Sequence, residues 1–307
     1  MAYTTDDAVE AVRVGAKLPD AHADLTSAVI LGFGDEERAS VIDPWRRKIL
    51  GAEYDITSAS QSLVSGTATY RIPSRAAGAS LHSVSYVDGA GDEWPMNRIP
   101  LEDSGAFVHG AGYHWEAPYA YAIEGDFVRV LPTPAASSGS LKLRYPKRPS
   151  RMVSIEDAMV ITSISGSPSV YAGPKPSTIQ TTTLVDIIQS APNFAIFAAD
   201  QTPSAVSANT SVTFATNPST EAAAGDYVAL AGETPVIQLP AELHPILIAL
   251  MIGRALEAEG DRDGMAIAMD RAERRLARLE PLFRERVGNG RRYAVDATST
   301  LRGGRYR

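Results

Sequence analysis

Met265-Ala-Ile-Ala-Met269-Asp-Arg-Ala272-Glu-Arg-Arg-Leu276-Ala-Arg-Leu279-Glu-Pro-Leu-Phe283 is the stretch on which the fold turns. Met265, Met269, Ala272, Leu276, Leu279 and Phe283 follow one another at steps of four, three, four, three and four residues. That is the heptad spacing of a helix that buries one seam. Asp270, Arg271, Arg274, Arg275 and Arg278 occupy its other faces. Pro281 predicts a kink or a looser last turn, because proline has no N–H to give the preceding turn. Just upstream, Pro240 suits a first helical turn. Leu243, Leu247, Leu250 and Met251 then line an apolar helix that runs to about Ala258 and stops at Gly260.

The other end of the chain is also helical. Thr4-x-x-Asp7 reads as a capping box, and Asp6 and Asp7 suit the positive N-terminus of a helix. Ala8, Val9 and Val12 give it a short apolar face, and Pro19 ends it. A second helical region spans about Leu25 to Tyr54, punctuated by Gly32, Gly34 and Pro44, with Ile42, Trp45 and Ile49 at helical spacing.

Between the two ends the texture is that of β-structure. Phe127-Val-Arg-Val-Leu131 and Leu141-Lys-Leu-Arg-Tyr145 alternate with period two, as strands with one buried face do. Most of 66–146 reads as antiparallel strands separated by turns such as Asp88-Gly-Ala-Gly-Asp92. Pro146–Pro149 marks a boundary, and a second β-rich stretch runs from about Met152 to Gln238. It includes Thr182-Thr-Leu-Val-Asp-Ile-Ile188 and Val212-Thr-Phe-Ala215. Gly225-Asp-Tyr-Val228 echoes Gly125-Asp-Phe-Val128, which a shared turn-then-strand grammar explains without a repeat.

The expected fold is therefore α+β. The N- and C-terminal helices form one bundle, antiparallel β-sandwich or β-barrel-like modules are inserted in it, and an extended C-terminal tail comes last. The boundaries are 1–58 for the first helices, 59–150 and 151–238 for the β modules, 239–287 for the last helices and 288–307 for the tail. Leu243, Leu247 and Leu250, with Met265, Met269, Ala272, Leu276, Leu279 and Phe283, are the expected packing residues of the bundle.

Composition narrows the function. The chain has no cysteine, so disulfides, thiolate metal sites and thiol nucleophiles are excluded. The first residues, Met-Ala-Tyr-Thr-Thr-Asp-Asp, lack the basic and apolar regions of a secretory signal. The apolar stretch Pro245–Gly253 is too short for a bilayer, so no membrane association and a cytoplasmic origin are expected. With 29 basic and 36 acidic residues the net charge is −7, against the basic excess of a nucleic-acid-gripping protein. The charge is uneven, however. From Arg284 to Arg307 there are seven Arg against Glu285 and Asp296, a net of +5.

No catalytic, cofactor or metal constellation is expected. His109 and His114 share the Gly-rich stretch His-Gly-Ala-Gly-Tyr-His, but no third ligand is marked, and contacts within a loop or with a partner explain them better. Glu259-x-Asp261-x-Asp263-Gly264, with Asp270 beyond, lacks the bidentate Glu that closes a calcium loop. Asp261 and Asp263 read instead as caps of the last helix. Gly32-Phe-Gly34 has neither the strand before it nor the further Gly of a dinucleotide fingerprint. His244, just ahead of Pro245, reads as a packing residue. The tail is different: it carries Arg without Lys, and Arg pairs bidentately with carboxylates. Tyr293 and Tyr306 add interface anchors. Arg286, Arg291, Arg292, Tyr293, Arg302, Arg305, Tyr306 and Arg307 are thus candidate docking residues for an acidic partner surface.

Two stretches carry a resemblance. Tyr70-Arg-Ile-Pro-Ser-Arg-Ala-Ala-Gly78, within 66–78, resembles a segment common in head–tail adaptor (connector) proteins of podovirus-like phages. Gly225-Asp-Tyr-Val-Ala-Leu-Ala-Gly-Glu-Thr-Pro235, running into Leu239-Pro-Ala-Glu-Leu-His-Pro245, resembles the junction where β-structure hands over to the C-terminal helices in the same proteins. Arg254-Ala-Leu-Glu-Ala-Glu-Gly-Asp261 fits as well, and the α-β-α order matches along nearly the whole chain.

The resemblance implies a structural virion protein at the head–tail junction, without catalytic residues or cofactors. It implies a ring, typically of twelve copies, beneath the portal protein, with neighbouring copies side by side and C-terminal segments reaching the portal. The β parts would face tail nozzle, tube or fibre proteins, and DNA would pass through the hole. An acidic body suits a channel to which phosphates must not stick. Minimal adaptors lack a counterpart of 151–238, which is expected to contact fibres or the nozzle. Two other readings stand beside this one. One is a tail nozzle or tube subunit. The other is a carbohydrate-binding β protein using Trp45, Trp94, Trp115, Tyr113, Tyr119 and Tyr121, with Tyr113-His114-Trp115 as its best candidates.

Overall fold

The computed structural model describes residues 4–19, 22–51, 56–104, 117–166, 169–190, 195–207 and 210–284. Helix α1 (Thr5–Ala16) starts on the expected capping box: Thr4 Oγ1 accepts the Asp7 N–H at 3.2 Å, and Asp7 Oδ2 accepts the Thr4 N–H at 3.0 Å. Helix α2 (Ser27–Glu37) is capped by the Thr26 hydroxyl and runs through a π-helical turn, Arg38–Ile42, into α3 (Asp43–Leu50). Gly32 and Gly34 do not break α2. A Cβ on Gly34 would sit 2.5 Å from Met152 Cε and 3.0 Å from Met251 Sδ, so this glycine lets neighbouring chain approach closely. Pro44 lies in the first turn of α3, where no N–H is required.

At the other end, α4 (His244–Ala258) and α5 (Arg262–Arg284) form a hairpin around Gly260, which adopts φ +83°. Pro281 is accommodated inside α5 without ending it. Helices α1, α2 and α5 all pack on α4. Their shared core joins Ala8, Val12, Ile30 and Ile42 from the start of the chain to Leu243, Leu247, Leu250, Ala272, Leu276 and Phe283 from its end. Trp45 of α3 meets Phe283 of α5 edge-on at 5.5 Å.

Two β units lie between these helices. The first has β1 (Ile56–Ser62), β2 (Thr69–Arg71), β3 (Ser83–Val87), β4 (Glu93–Pro95), β5 (Asn97–Arg98), β6 (Ala120–Glu124), β7 (Phe127–Leu131) and β8 (Ser140–Pro146). They form two four-stranded sheets, β1-β8-β3-β4 and β2-β7-β6-β5. Leu141, Leu143 and Tyr145, the inward positions of β8, share one core with Tyr70, Tyr121, Val128 and Val130 of the other sheet.

The second unit comprises β9 (Arg151–Met152), β10 (Met159–Val160), β11 (Ser163–Ser165), β12 (Ser169–Ala172), β13 (Val185–Ile188), β14 (Ile196–Gln201), β15 (Ala205–Ser207), β16 (Ser211–Phe214), β17 (Tyr227–Leu230) and β18 (Glu233–Thr234). Sheets β10-β17-β13-β14 and β11-β12-β16-β15 close over Met159, Tyr171, Ile187, Val212, Phe214 and Val228. The two echoing tetrapeptides each place a positive-φ glycine two residues before a strand: Gly125 and Gly225 take φ +59° and +96°, and β7 and β17 begin at Phe127 and Tyr227. Gly125 opens the β6–β7 hairpin turn, whereas Gly225 is the third residue of the turn Ala223–Asp226.

The structure departs from the sequence reading in detail. β-Structure begins at Ile56 instead of Ala59. Gln180–Thr183 form a turn, closed by hydrogen bonds between Thr183 and Gln180, and of the expected stretch only Val185–Ile188 are strand. Among the described residues pairing is antiparallel except for two short parallel ladders, β5 with β6 and β9 with β18, each two residues long. The second ladder lies where the chain passes from the first β unit to the second and where it leaves the second for the last helices. Thr5 clamps both passes: its Oγ1 donates to Val153 O at 2.6 Å, with Pro235 O 2.9 Å away.

Candidate functional site

The residues that carried chemical alternatives are held in structural roles. Asp261 Oδ1 accepts the Gly264 N–H at 2.9 Å and so caps α5. Glu259 lies 3.1 Å from His22 Nε2. His244 is fully buried, with its Nε2 2.9 Å from the Leu239 carbonyl oxygen, and burial pushes its pKa down. Among the described residues no group of three His, Asp or Glu is placed to hold a metal ion. His109, His114, Tyr113 and Trp115 lie outside the described residues. Of the other aromatics, Trp45 packs in the helical core, Tyr121 is buried in the first β unit, and Trp94 on β4 is 60% exposed. The structure does not gather these three into one stacking surface.

What the fold does build, among the described residues, is a set of polar ties between its helical part and its two β units. The strongest is centred on Asp186. The segment after β2 turns sharply at Pro73–Ser80, where Ala76 N–H donates to Pro73 O and Gly78 adopts φ +62°. This turn carries Arg75 out of the first β unit. Its Nη2 donates to Asp186 Oδ1 at 2.6 Å, and its Nε donates to Asp200 Oδ1 at 3.1 Å. Asp186 sits mid-strand in β13, fully buried among Val185, Ile187 and Ile188. Its carboxylate also accepts the N–H groups of Asp200 at 2.9 Å and Gly232 at 3.1 Å. Burial opposes the charge on Arg75, but the Asp186 and Asp200 carboxylates outweigh it and raise the guanidinium pKa. Arg75 belongs to the first stretch that carried the resemblance and Gly232 to the second, so the two stretches converge on one carboxylate.

Further ties join the helices to the β units. Asp35 of α2 accepts the Met152 N–H on both oxygens at 3.1 Å. Burial pushes the Asp35 carboxyl up to about 6, against the pull of that N–H and of Arg38 and Arg151. Arg38 Nη1 donates to Ser150 O at 3.3 Å, and Asp6 of α1 accepts from Ser154 Oγ at 2.9 Å. Arg38, Asp43, Arg46, Lys147, Arg148 and Gln238 line a cleft of about 240 Å³ where helices and β units meet. Within the helical part, Arg254 bridges Glu36 at 3.1 Å, Glu37 at 3.3 Å and Glu257 at 2.6 Å.

Of the packing residues expected from the sequence, Leu243, Leu247, Leu250, Ala272, Leu276 and Phe283 lie inside the helical core. Met269 and Leu279 pack on it half-buried, and Met265 is half-buried at the start of α5. The tail residues Arg286, Arg291, Arg292, Tyr293, Arg302, Arg305, Tyr306 and Arg307 lie outside the described residues. Sequence reasoning missed Arg75, Asp186 and Asp200. One signal was present: an aspartate inside an otherwise apolar strand is costly unless a cation meets it.

A family model described as SU10 adaptor protein matches residues 6–174, which cover α1 to α3, the first β unit and the opening strands of the second. The chain belongs to this family of phage adaptor proteins, and membership implies a structural, non-enzymatic protein that binds other virion proteins. No curated protein matches the chain. Among the described residues no helix is long and apolar enough to cross a membrane.

Proposed function

We propose that the chain is the head-to-tail adaptor of a tailed phage, assembled in the virion as a ring of twelve copies between the portal protein and the tail. The observation that carries this reading is the family match over 6–174, set on a fold whose first and last helices share one core. Neighbouring copies pack through their helical parts. The tail from 288 onward, with Arg286 just ahead of it, docks on acidic portal surface through Arg286, Arg291, Arg292, Arg302, Arg305 and Arg307, with Tyr293 and Tyr306 as anchors. The net charge of −7 suits a ring through which DNA slides without being gripped. The second β unit reaches beyond the family match and meets the nozzle, tube or fibre proteins.

Native mass spectrometry of portal rings mixed with the full chain, and with a chain ending at Val287, tests this. Stoichiometric addition of the full chain and none of the shortened one is the expected result. Binding by both would refute the docking role of the tail, and binding by neither would refute the adaptor reading. A phage lacking 151–238 that still carried all its fibres and infected normally would overturn the role given to the second β unit.

A further inference from the structure

Helices α1 and α5 flank α4 on neighbouring faces. A Cβ on Gly15 of α1 would run into Ile252 Cδ1, and Gly253, the next residue of α4, faces Met269 of α5. Each flanking helix turns one face to solvent, and the two faces are complementary.

On α1 the outward face carries Asp7, Glu10 and Val14, all exposed, with Val14 at 74%. Lys17 closes the helix just beyond. On α5 the outward face carries Ile267, Arg271, Arg274, Arg278 and Leu282, all exposed, with Ile267 at 61% and Leu282 at 62%. Asp7, Glu10 and Val14 are spaced by three and four residues, and so are Arg271, Arg274 and Arg278. Each set therefore covers the same two turns, about 10 Å along its axis. Arg274 pairs with Asp270 at 2.8 Å, and Arg275 donates to Pro245 O at 3.0 Å. Among the described residues Arg271, Arg278 and Glu10 have no ion-pair partner. Arg271 and Arg278 thus leave unpaired positive charge on one stripe and Glu10 leaves unpaired negative charge on the other, which makes the two stripes electrostatically complementary.

We infer that the Ile267–Leu282 stripe of α5 docks on the Asp7–Val14 stripe of α1 in a second copy of this chain. The two stripes belong to different helices, so the contact is heterologous, and each copy offers one stripe to each neighbour. Ile267 and Leu282 bracket the arginines and exclude water from the contact, while Arg271, Arg274 and Arg278 set register and partner choice against Asp7 and Glu10. This inference rests on the ring reading above and names the surface that would close the ring.

A charge swap tests it. The full-length wild type, Arg271→Glu/Arg278→Glu, Glu10→Arg and the combination of all three are compared by native mass spectrometry, alone and on portal rings. Unchanged thermal melting confirms that these exposed substitutions leave the fold intact. Each single-sided reversal is expected to weaken copy–copy association at least about tenfold, and the combination to recover most of it. Assembly that ignores the reversals, or a combination that recovers nothing, overturns the pairing and leaves the ring reading standing. Sensitivity to the α5 reversal without sensitivity to Glu10→Arg gives the arginine stripe to another partner, such as portal or DNA, and also overturns it. A wild type that associates neither with itself nor with the portal takes the ring reading down as well.

Discussion

Arg75 and Asp186 stand 111 residues apart in the chain, yet Arg75 Nη2 lies 2.6 Å from Asp186 Oδ1, with 8% and 0% of the two residues exposed. The pair fastens the turn after β2 to the central part of the second β unit. Its burial sets the cost of breaking it. Arg75→Ala strands a carboxylate in an apolar strand and is expected to cost about 3–5 kcal/mol in urea unfolding. Asp186→Asn removes the charge and keeps one acceptor oxygen, enough for one of the Asp200 and Gly232 N–H groups, which now meet different carboxylate oxygens. A double-mutant cycle on Arg75→Met and Asp186→Asn should therefore show the double change costing well under the sum of the single ones. Additive costs would mean that the two side chains do not work as a pair.

Asp35 predicts a pH dependence of the opposite sign to that of an ordinary ion-paired carboxylate. Its folded pKa, about 6, lies above its usual value of 3.8, so the folded state binds the proton more tightly than the unfolded chain does. Its contribution is therefore most favourable below about pH 4 and is lost as pH rises towards 6. Asp35→Asn removes the titration while keeping an acceptor for the Met152 N–H. The variant should gain on the order of 1–2 kcal/mol over wild type at pH 7, and the gap should close by pH 4. A constant gap across that range would contradict the assignment.

Two glycines separate soft from hard packing. A Cβ on Gly173 would overlap the Val160 carbonyl oxygen, a backbone atom that cannot move aside cheaply. Gly173→Ala is expected to cost about 2–4 kcal/mol. At Gly34 the obstacles are the flexible ends of Met152 and Met251, and alanine also favours the helix. Gly34→Ala should stay within about 1 kcal/mol of wild type. The thermal midpoints of the two variants give the comparison, and equal losses would contradict it.

Phe283 is 3% exposed at the far end of α5, against Trp45, so it holds the end of α5 from which the tail departs. Phe283→Ala should cost about 3–5 kcal/mol. It should also quench or shift Trp45 fluorescence, which a loss confined to the β units would not do.

Local signals were readable in the sequence, and long-range ones were not. The seam Met265–Phe283 and the strand Leu141–Tyr145 announce themselves, because a buried face repeats with the period of its element. The caps at Thr4 and Asp261 are equally local. The β-strand expected from Thr182 came out short because Thr183 hydroxyl bonding to Gln180 holds a turn that β-propensity alone does not register. The two-residue parallel ladders and the π-helical turn are too short to imprint a period. The pairing of Arg75 with Asp186 left half a trace, the charge in β13, but nothing local could point across more than a hundred residues to its partner. The arginine face of α5 was visible in the sequence, whereas of the α1 stripe only Asp7 was read, as a helix-start acid. That they match in spacing and oppose in charge emerges only once both are seen to flank α4.

Everything proposed for this chain depends on its copies forming a ring on a portal. Electron microscopy of portal rings incubated with the full chain addresses that point without intermediates. The expected image is a closed ring of twelve copies coaxial with the portal, with an open channel and neighbouring copies in contact through their helices. Bare portal rings, or copies scattered on the portal without rotational order, would contradict it.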